Sequence, residues 1–231
     1  MKRIIKTFLF LIVMIYFSSC DVYTDFLESE NDATPVTVEE PVIEEPVIEY
    51  NLRDIGPAGG WIFHIIDNGD GTKTYYEAAP VDQGASVEWI NSGPAPNPQE
   101  TVNGNTGTAV GTGWDNTLAI IAQTNHTSSA ALLCRSYNGG GFNDWYLPSK
   151  DELERIFWNI RGMAYNTVYN PEVPDAAGGG VGNISGSYWT SSEWNIANPY
   201  QIWMQQGING YQTYMSKSNL YKVRAVRSFI L

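Results

Sequence analysis

The residues of this chain that could carry acid–base chemistry are four carboxylates: Glu77, Asp144, Glu152 and Glu193. A pair of them held close together would suit the hydrolysis of glycosidic bonds. His64 and His126 are the only histidines, and neither belongs to a serine, cysteine or acid constellation. Two histidines without a carboxylate cluster also make a poor zinc site. The sequence therefore predicts a domain without catalytic activity, metal or cofactor.

Two of these carboxylates, Glu152 and Asp144, stand at positions that suggest a structural role instead. Glu152 stands three residues after Ser149, which is the spacing of a capping box at the start of a helix. Asp144 is expected to anchor its loop or to pair with Arg224 or Arg227. Both carboxylates are therefore predicted to support the fold rather than a reaction.

Aromatic residues are the better candidates for contact with a ligand, since the chain has 8 Trp and 14 Tyr. Flat aromatic faces suit sugar rings, and Tyr and Trp also suit protein interfaces. Trp114, Trp194 and Trp203 stand beside Gly, Asn, Met or Ile, and we predict that they lie at the surface and stack on a ligand. Trp145 and Trp189 are expected in the core.

Three short helices are predicted to position these residues. Asp115 or Asn116 can cap the first, the second covers residues 128–136, and the third begins after Ser149 and ends near Gly162. The third helix has apolar residues at helical spacing: Leu153, Ile156, Phe157 and Ile160.

Strand signals stand at both ends of the same region. Residues 61–67 and 73–79 are β-rich runs separated by Asn-Gly-Asp-Gly-Thr, which predicts a hairpin. Three further β-rich runs follow the helices: residues 188–192, 200–205 and 221–229. Strands at both ends with helices between them predict an α+β domain whose terminal strands pair antiparallel.

Eight short motifs occur in a fixed order: Gly59 to Phe63, Tyr76 to Pro80, Gly111 to Gly113, Asn116-Thr117, Ala130 to Cys134, Asp144 to Ser149, Tyr188 to Glu193 and Val223 to Arg227. Through them the chain, from about Gly56 to Phe229, resembles the bacterial Lcl C-terminal domain family. The resemblance implies a single C-type-lectin-like domain at the cell surface, with polysaccharide binding attributed to the family's namesake, a collagen-like adhesin. The calcium motifs of true C-type lectins are absent, so calcium-dependent sugar binding is not expected.

The residues that we predict to be structural lie in the family motifs or, for Glu152, three residues after one: Asp144, Trp145, Pro148, Ser149, Glu152, Trp189, Arg224 and Arg227. Cys134, also within a motif, is expected to be a buried structural thiol, because it has no second cysteine to pair with once Cys20 is modified.

The first residues have the pattern of a lipoprotein signal. Lys2, Arg3 and Lys6 precede an apolar run over residues 8–17, which is too short to span a bilayer comfortably. Ser18-Ser19-Cys20 then resembles a lipobox, although an ordinary signal peptide with an incidental cysteine would have the same pattern. We predict a signal peptide over residues 1–19 and lipidation of Cys20.

Residues 20–52 are predicted to be a disordered tether, and residues 53–231 the domain. Between Asp21 and Tyr50 there are ten acidic residues and no Lys or Arg. The domain has 10 Lys+Arg against 15 Asp+Glu, a net charge of −5, within a whole-chain charge of −12. Such a protein is a poor binder of nucleic acid. The same charge argues against sulfated polysaccharide.

These observations predict a lipid-anchored protein of the bacterial cell envelope, located at the outer membrane or cell surface or facing the periplasm. Its domain is expected to recognise glycan or protein without catalysis. A structural envelope or protein-interaction module is the alternative, and a glycoside-acting enzyme is the third possibility. The sequence leaves the oligomeric state open.

Overall fold

The computed structural model describes residues 48–104, 106–161, 184–195, 197–206 and 210–231. Within them, eight strands form two sheets and three α-helices pack against them, so the predicted α+β class is confirmed. The predicted signal peptide and most of the predicted tether lie outside the described residues, as does Cys20. None of the described helices is long and apolar enough to cross a membrane.

The elements follow one another in chain order. The strands are β1 (Trp61–Asp67), β2 (Lys73–Ala78), β3 (Gly84–Val87), β4 (Tyr188–Asn195), β5 (Asn198–Gln205), β6 (Gln212–Ser216), β7 (Tyr221–Val223) and β8 (Val226–Ile230). The helices are α1 (Gly113–Ile121), α2 (Ala130–Arg135) and α3 (Lys150–Asn159). One sheet has the order β1-β2-β8, and the other has the order β3-β7-β4-β5-β6.

The three-stranded sheet joins the two ends of the domain. The predicted hairpin is present, and its turn is held by the side chains of Asp67 and Asp70, which accept from the N–H groups of Gly69 and Thr72. Strand β8 pairs antiparallel with β2, as predicted for the terminal strands. Tyr50, a residue of the predicted tether, packs edge-on against rings of this sheet.

The predicted single strand over residues 221–229 is wrong. It is two strands in two different sheets, because the backbone leaves β7 at Arg224 and enters β8 at Val226. The guanidinium of Arg224 is buried at this crossing, where it pairs with Asp82 and donates to the carbonyl of Ala79. The side chain of Gln83 accepts from the N–H of Ala225. The crossing therefore connects the two sheets.

The predicted cap of the first helix is also wrong. Helix α1 begins at Gly113, with Thr112 at its N-cap, so Asn116 lies inside the helix and is buried. Its side-chain oxygen accepts from the N–H of Gly107 at 2.8 Å, and its amide nitrogen donates to the Gly107 carbonyl at 2.7 Å. The amide thus holds a distant loop instead of the helix terminus.

The capping box of α3 is confirmed. The Ser149 hydroxyl accepts from the Glu152 N–H, and the Glu152 carboxylate accepts from the Ser149 N–H at 2.7 Å. The buried carboxylate also accepts from the N–H of Gly111 at 2.9 Å and from the hydroxyl of Tyr146 at 3.1 Å. Glu152 therefore joins the start of α3 to the start of α1.

We expect Glu152→Gln to lower the free energy of unfolding by about 2–3 kcal/mol, because every neighbour of the carboxylate is a donor and an amide NH₂ would face one of them. Glu154→Gln makes the same change two residues later on α3 and should cost less than about 0.5 kcal/mol. Urea unfolding of both variants measures the difference. Equal effects would contradict the role assigned to Glu152.

Two apolar clusters form the core. The first contains the completely buried Trp145 and Trp189, as predicted, together with Cys134. Burial raises the pKa of the Cys134 thiol, which fits a structural cysteine. The second cluster surrounds the apolar face of α3, including Leu153 and Phe157. The five-stranded sheet contributes residues to both clusters.

Candidate ligand-binding face

Residues of the family motifs form a buried ion network rather than an open site. Arg227 donates to Glu77 at 3.1 Å and makes two bonds of 2.8 Å to Asp144. Glu77, which is completely buried, also accepts from the N–H groups of Ala58 and Gly60. Asp144 therefore pairs with Arg227, which is one of the two partners expected for it.

The remaining pair of candidate carboxylates is engaged as well. Glu152 accepts three hydrogen bonds at the start of α3, as described above. Glu193, at the end of β4, accepts from the N–H groups of Asn103 and Gly104 at 2.8 and 3.0 Å. It also faces the ammonium of Lys217 at 3.4 Å. Each of the four carboxylates therefore has structural partners.

An aromatic surface is built by the last strands of the five-stranded sheet. Trp203 on β5 lies directly opposite Tyr214 on β6, while the neighbouring Ile202 and Met204 turn towards the core. Successive residues of a strand point to opposite faces, so this register brings Trp203 and Tyr214 to the face away from that core. Trp194 on β4 reaches the same position. We call Trp194, Trp203 and Tyr214 the aromatic face.

The rings of the aromatic face contact one another. The Trp194 and Tyr214 rings stack with centroids 4.0 Å apart and planes at 30°. The Trp203 ring stands edge-on to Tyr214, with centroids 6.4 Å apart and planes at 83°. Trp194 and Trp203 are half-buried and Tyr214 is 39% exposed. The face therefore offers two ring planes that meet at nearly a right angle.

Polar groups border the aromatic face towards α3. The amide of Gln212 donates to Gln205 at 2.9 Å and to the backbone carbonyl of Lys150 at 2.8 Å. The Lys150 ammonium lies 5.2 Å from the centre of the Trp203 ring and 3.2 Å from Asp151. Amides and one ion-paired lysine thus surround the rings.

Exposed aromatic side chains concentrate on the same two strands. Among the described residues, the strongly exposed aromatic side chains are Tyr200, Tyr211 and Tyr214. Tyr200 lies in β5, Tyr211 precedes β6, and Tyr214 is in β6. These exposed aromatic side chains therefore all lie in or directly before β5 and β6.

The structure brings together two of the three tryptophans predicted to contact a ligand. Trp194 and Trp203 meet at the aromatic face, whereas Trp114 packs edge-on against Tyr146 and lies under the guanidinium of Arg135 at 4.4 Å. Trp114 is half-buried on α1. Its contacts are therefore with a different part of the domain.

Sequence reasoning missed Tyr214 and the glutamines beside it. The sequence predicts no strand between residues 205 and 221, where Gly207 and Gly210 interrupt the chain. Residues Gln212 to Ser216 nevertheless form β6, and its pairing with β5 is what places Tyr214 beside Trp203. Thr213 and Tyr214, which are residue types enriched in strands, were the available signal.

A loop beside the aromatic face is held by a buried ion pair. Glu193 directly precedes Trp194, and its partner Lys217 is only 1% exposed. Lys217 also donates to the carbonyl of Thr101 at 2.6 Å and lies over the Trp89 ring. Burial lowers the pKa of Lys217, while the nearby Glu193 carboxylate acts in the opposite direction. The pair ties the segment after Thr101 to β4.

Two shallow recesses lie elsewhere, one on each side of Leu133 on α2. One has a volume of about 290 Å³ and is bordered by Val81, and the other has about 390 Å³ and is bordered by Leu220. The side chains of all three residues are exposed. Within the described part of the chain, no group of three or more His, Cys, Asp or Glu side chains could hold a metal ion.

Residues 80–227 match the family model of the Lcl C-terminal domain. The match covers more than half of the chain and begins after β2, so the first hairpin precedes it although β2 pairs with β8. No curated protein matches the chain.

Proposed function

Because the chain belongs to the Lcl C-terminal domain family, we propose that it is a cell-envelope protein whose domain binds glycan, without catalysis, through the aromatic face. The observation that carries the proposal is the meeting of Trp194, Trp203 and Tyr214 on one side of the sheet, next to side-chain amides. Binding then depends on the last strands of the sheet.

The chemistry of the face suits a sugar. The C–H groups on one side of a pyranose ring form an apolar surface that packs on an aromatic ring, and its hydroxyls require hydrogen-bond partners. Trp and Tyr combine a large apolar face with a polar edge, which suits such amphipathic ligands. The partly exposed Tyr214 ring and the nearby Gln201 and Gln212 amides supply both kinds of contact.

We propose as well that the domain has no catalytic activity. A glycosidase needs one carboxyl group to donate a proton and a second to act as nucleophile or base. Glu77, Glu152 and Glu193 are buried, and Asp144 accepts from two nitrogens, Nε and Nη2, of the Arg227 guanidinium. These carboxylates support the fold, and the aromatic face supplies binding alone.

The proposed function also includes a lipid anchor at Cys20. Cys20 carries the lipid, and the acidic segment after it links this anchor to the domain. The domain would thereby be displayed towards material outside the membrane that carries it.

A protein partner is the alternative, and the exposed Val81, Leu133 and Leu220 beside the two recesses favour it. Apolar surface of this kind suits a protein better than a sugar. It lies on a different part of the domain from the aromatic face, so substitutions can separate the two functions.

We expect Trp203→Ala/Tyr214→Ala to lose at least about tenfold in affinity for any bound glycan, since each stacking contact contributes about 0.5–1.5 kcal/mol beyond its buried area. A glycan array and titration calorimetry, using residues 21–231 without the lipid, measure the loss. Trp203→Phe/Tyr214→Phe keeps two stacking rings and should retain most of the affinity.

Trp114→Ala is the matched control, because it removes a half-buried tryptophan from another part of the domain. It should leave glycan binding unchanged, provided that circular dichroism and thermal unfolding report a native fold. Glycan binding that only Trp114→Ala abolishes would contradict the proposed face. Absence of binding to every glycan on the array would favour the protein partner.

A further inference from the structure

The positive charges of the domain are all engaged within it. Six of the ten basic side chains pair with carboxylates: Lys73, Lys150, Lys217, Lys222, Arg224 and Arg227. Arg53 and Arg135 donate to backbone carbonyls. Arg155 and Arg161 lie over the rings of Trp158 and Phe157. Each of these cations therefore already has at least one partner within the domain, which a sulfate or carboxylate group would have to share.

Lys150 is the cation that borders the aromatic face. Its ammonium contacts the Asp151 carboxylate at 3.2 Å, so an anionic group arriving at Trp203 meets a pair whose charges cancel. The domain has a net charge of −5. This charge disfavours the approach of polyanions.

Neutral hydrogen-bonding groups are what the face offers instead. Gln201 and Trp203 share one side of β5, opposite Ser216 and Tyr214 on β6. Amides and hydroxyls donate and accept hydrogen bonds without charge, which matches the hydroxyls of an unmodified sugar. The Trp203 and Tyr214 planes meet at 83°, so a ring stacked on one plane presents its edge to the other.

We propose that the ligand of the aromatic face is an uncharged polysaccharide, and that sulfated and uronic-acid polysaccharides are excluded; this rests on the proposed function. Stacking and neutral hydrogen bonds hold the sugar, and no ion pair forms on binding. The affinity is then insensitive to ionic strength, because salt screens interactions between charges and leaves stacking intact.

The test compares uncharged with charged glycans, and dextran with dextran sulfate is the matched pair. Residues 21–231 without the lipid are titrated with dextran, laminarin, mannan and chitohexaose, and in parallel with dextran sulfate, heparin and hyaluronan. Each titration is run in about 50 mM and about 500 mM NaCl and repeated with Trp203→Ala/Tyr214→Ala. We expect binding to at least one neutral polymer, a change of less than about twofold between the two salt concentrations, and loss of that binding in the variant.

The other possible results distinguish a failure of this inference from a failure of the proposed function. Binding to charged polymers alone, or to both classes equally, with an affinity that falls at least about tenfold at high salt, would overturn this inference. If the variant lost that binding, glycan recognition by the aromatic face would still stand. Binding to no polymer, or binding that the variant retains in full, would overturn the proposed function and this inference with it.

Discussion

Replacing Arg227 with methionine is expected to lower the free energy of unfolding by about 3–5 kcal/mol. The substitution leaves Glu77 completely buried with only the N–H groups of Ala58 and Gly60 as partners. Asp144, in the loop before Trp145, loses both of its contacts to the guanidinium. A buried charge without its counter-ion retains the full cost of its removal from water. Urea unfolding followed by tryptophan fluorescence measures the loss.

The double variant Glu77→Gln/Arg227→Met is the informative comparison. Because it removes both charges, it should be more stable than the sum of the two single losses predicts, by about 1–3 kcal/mol. Arg227→Lys keeps the charge but cannot contact Asp144 through two nitrogens, so an intermediate loss is expected. Strictly additive losses would mean that the two charges do not stabilise one another.

The loss of unfolding free energy caused by Arg227→Met should also depend on pH. Burial raises the pKa of Glu77, while Gly60, Arg227 and Ala58 act in the opposite direction. A carboxyl with a raised folded-state pKa contributes stability that is complete below its unfolded pKa and is lost as pH rises through the folded pKa. Removal of Arg227 raises the pKa of Glu77 further. The loss of unfolding free energy should therefore be larger near pH 7 than near pH 4.5, which is the ordinary pKa of a glutamate side chain. A deficit that does not change with pH would argue against an ionised Glu77.

Replacing Lys217 with methionine is expected to destabilise the domain by about 3–5 kcal/mol. Glu193 would then lie buried without a cation beside Trp194, and the carbonyl of Thr101 would lose its donor. The amides of Asn103 and Gly104, which donate to Glu193, should exchange with solvent faster. Hydrogen exchange followed by mass spectrometry measures that change directly.

Lys222→Met is the matched control, since it makes the same substitution at another ion-paired lysine. The Lys222 side chain is 28% exposed in its pair with Asp82, against 1% for Lys217. Exposed pairs contribute roughly 0–1 kcal/mol, so little destabilisation is expected. If the two lysine variants were equally stable, the buried pair would not be what holds the loop.

The buried ion network around Arg227 and the aromatic face occupy different parts of the molecule. Arg227, Asp144 and Glu77 belong to motifs and form the buried network, whereas Trp203 and Tyr214 stand between motifs on the outer strands. A common scaffold can therefore be combined with differing surfaces, and membership of the family specifies the fold more closely than the ligand.

Local interactions explain which predictions the sequence supported. Ser149 and Glu152 are three residues apart, so their capping box depends on little beyond the turn that contains them. The hairpin turn around Gly69 is likewise specified by its own Asp, Asn and Gly residues. Burial of Trp145 and Trp189 was predicted from their positions within family motifs, and the α+β class from the order of the elements.

Contacts between distant residues account for the rest. Asn116 has the residue type of a cap, yet its amide binds Gly107, and the run from residue 221 divides at Arg224 because Asp82 and Ala79 bind the guanidinium. Trp194 and Tyr214 are twenty positions apart and meet only because β4, β5 and β6 are neighbours. The sequence by itself determined most of the helices and strands, the class of fold and the acidic charge. Tertiary structure decided which side chains meet, because strand pairing joins residues that no local pattern relates.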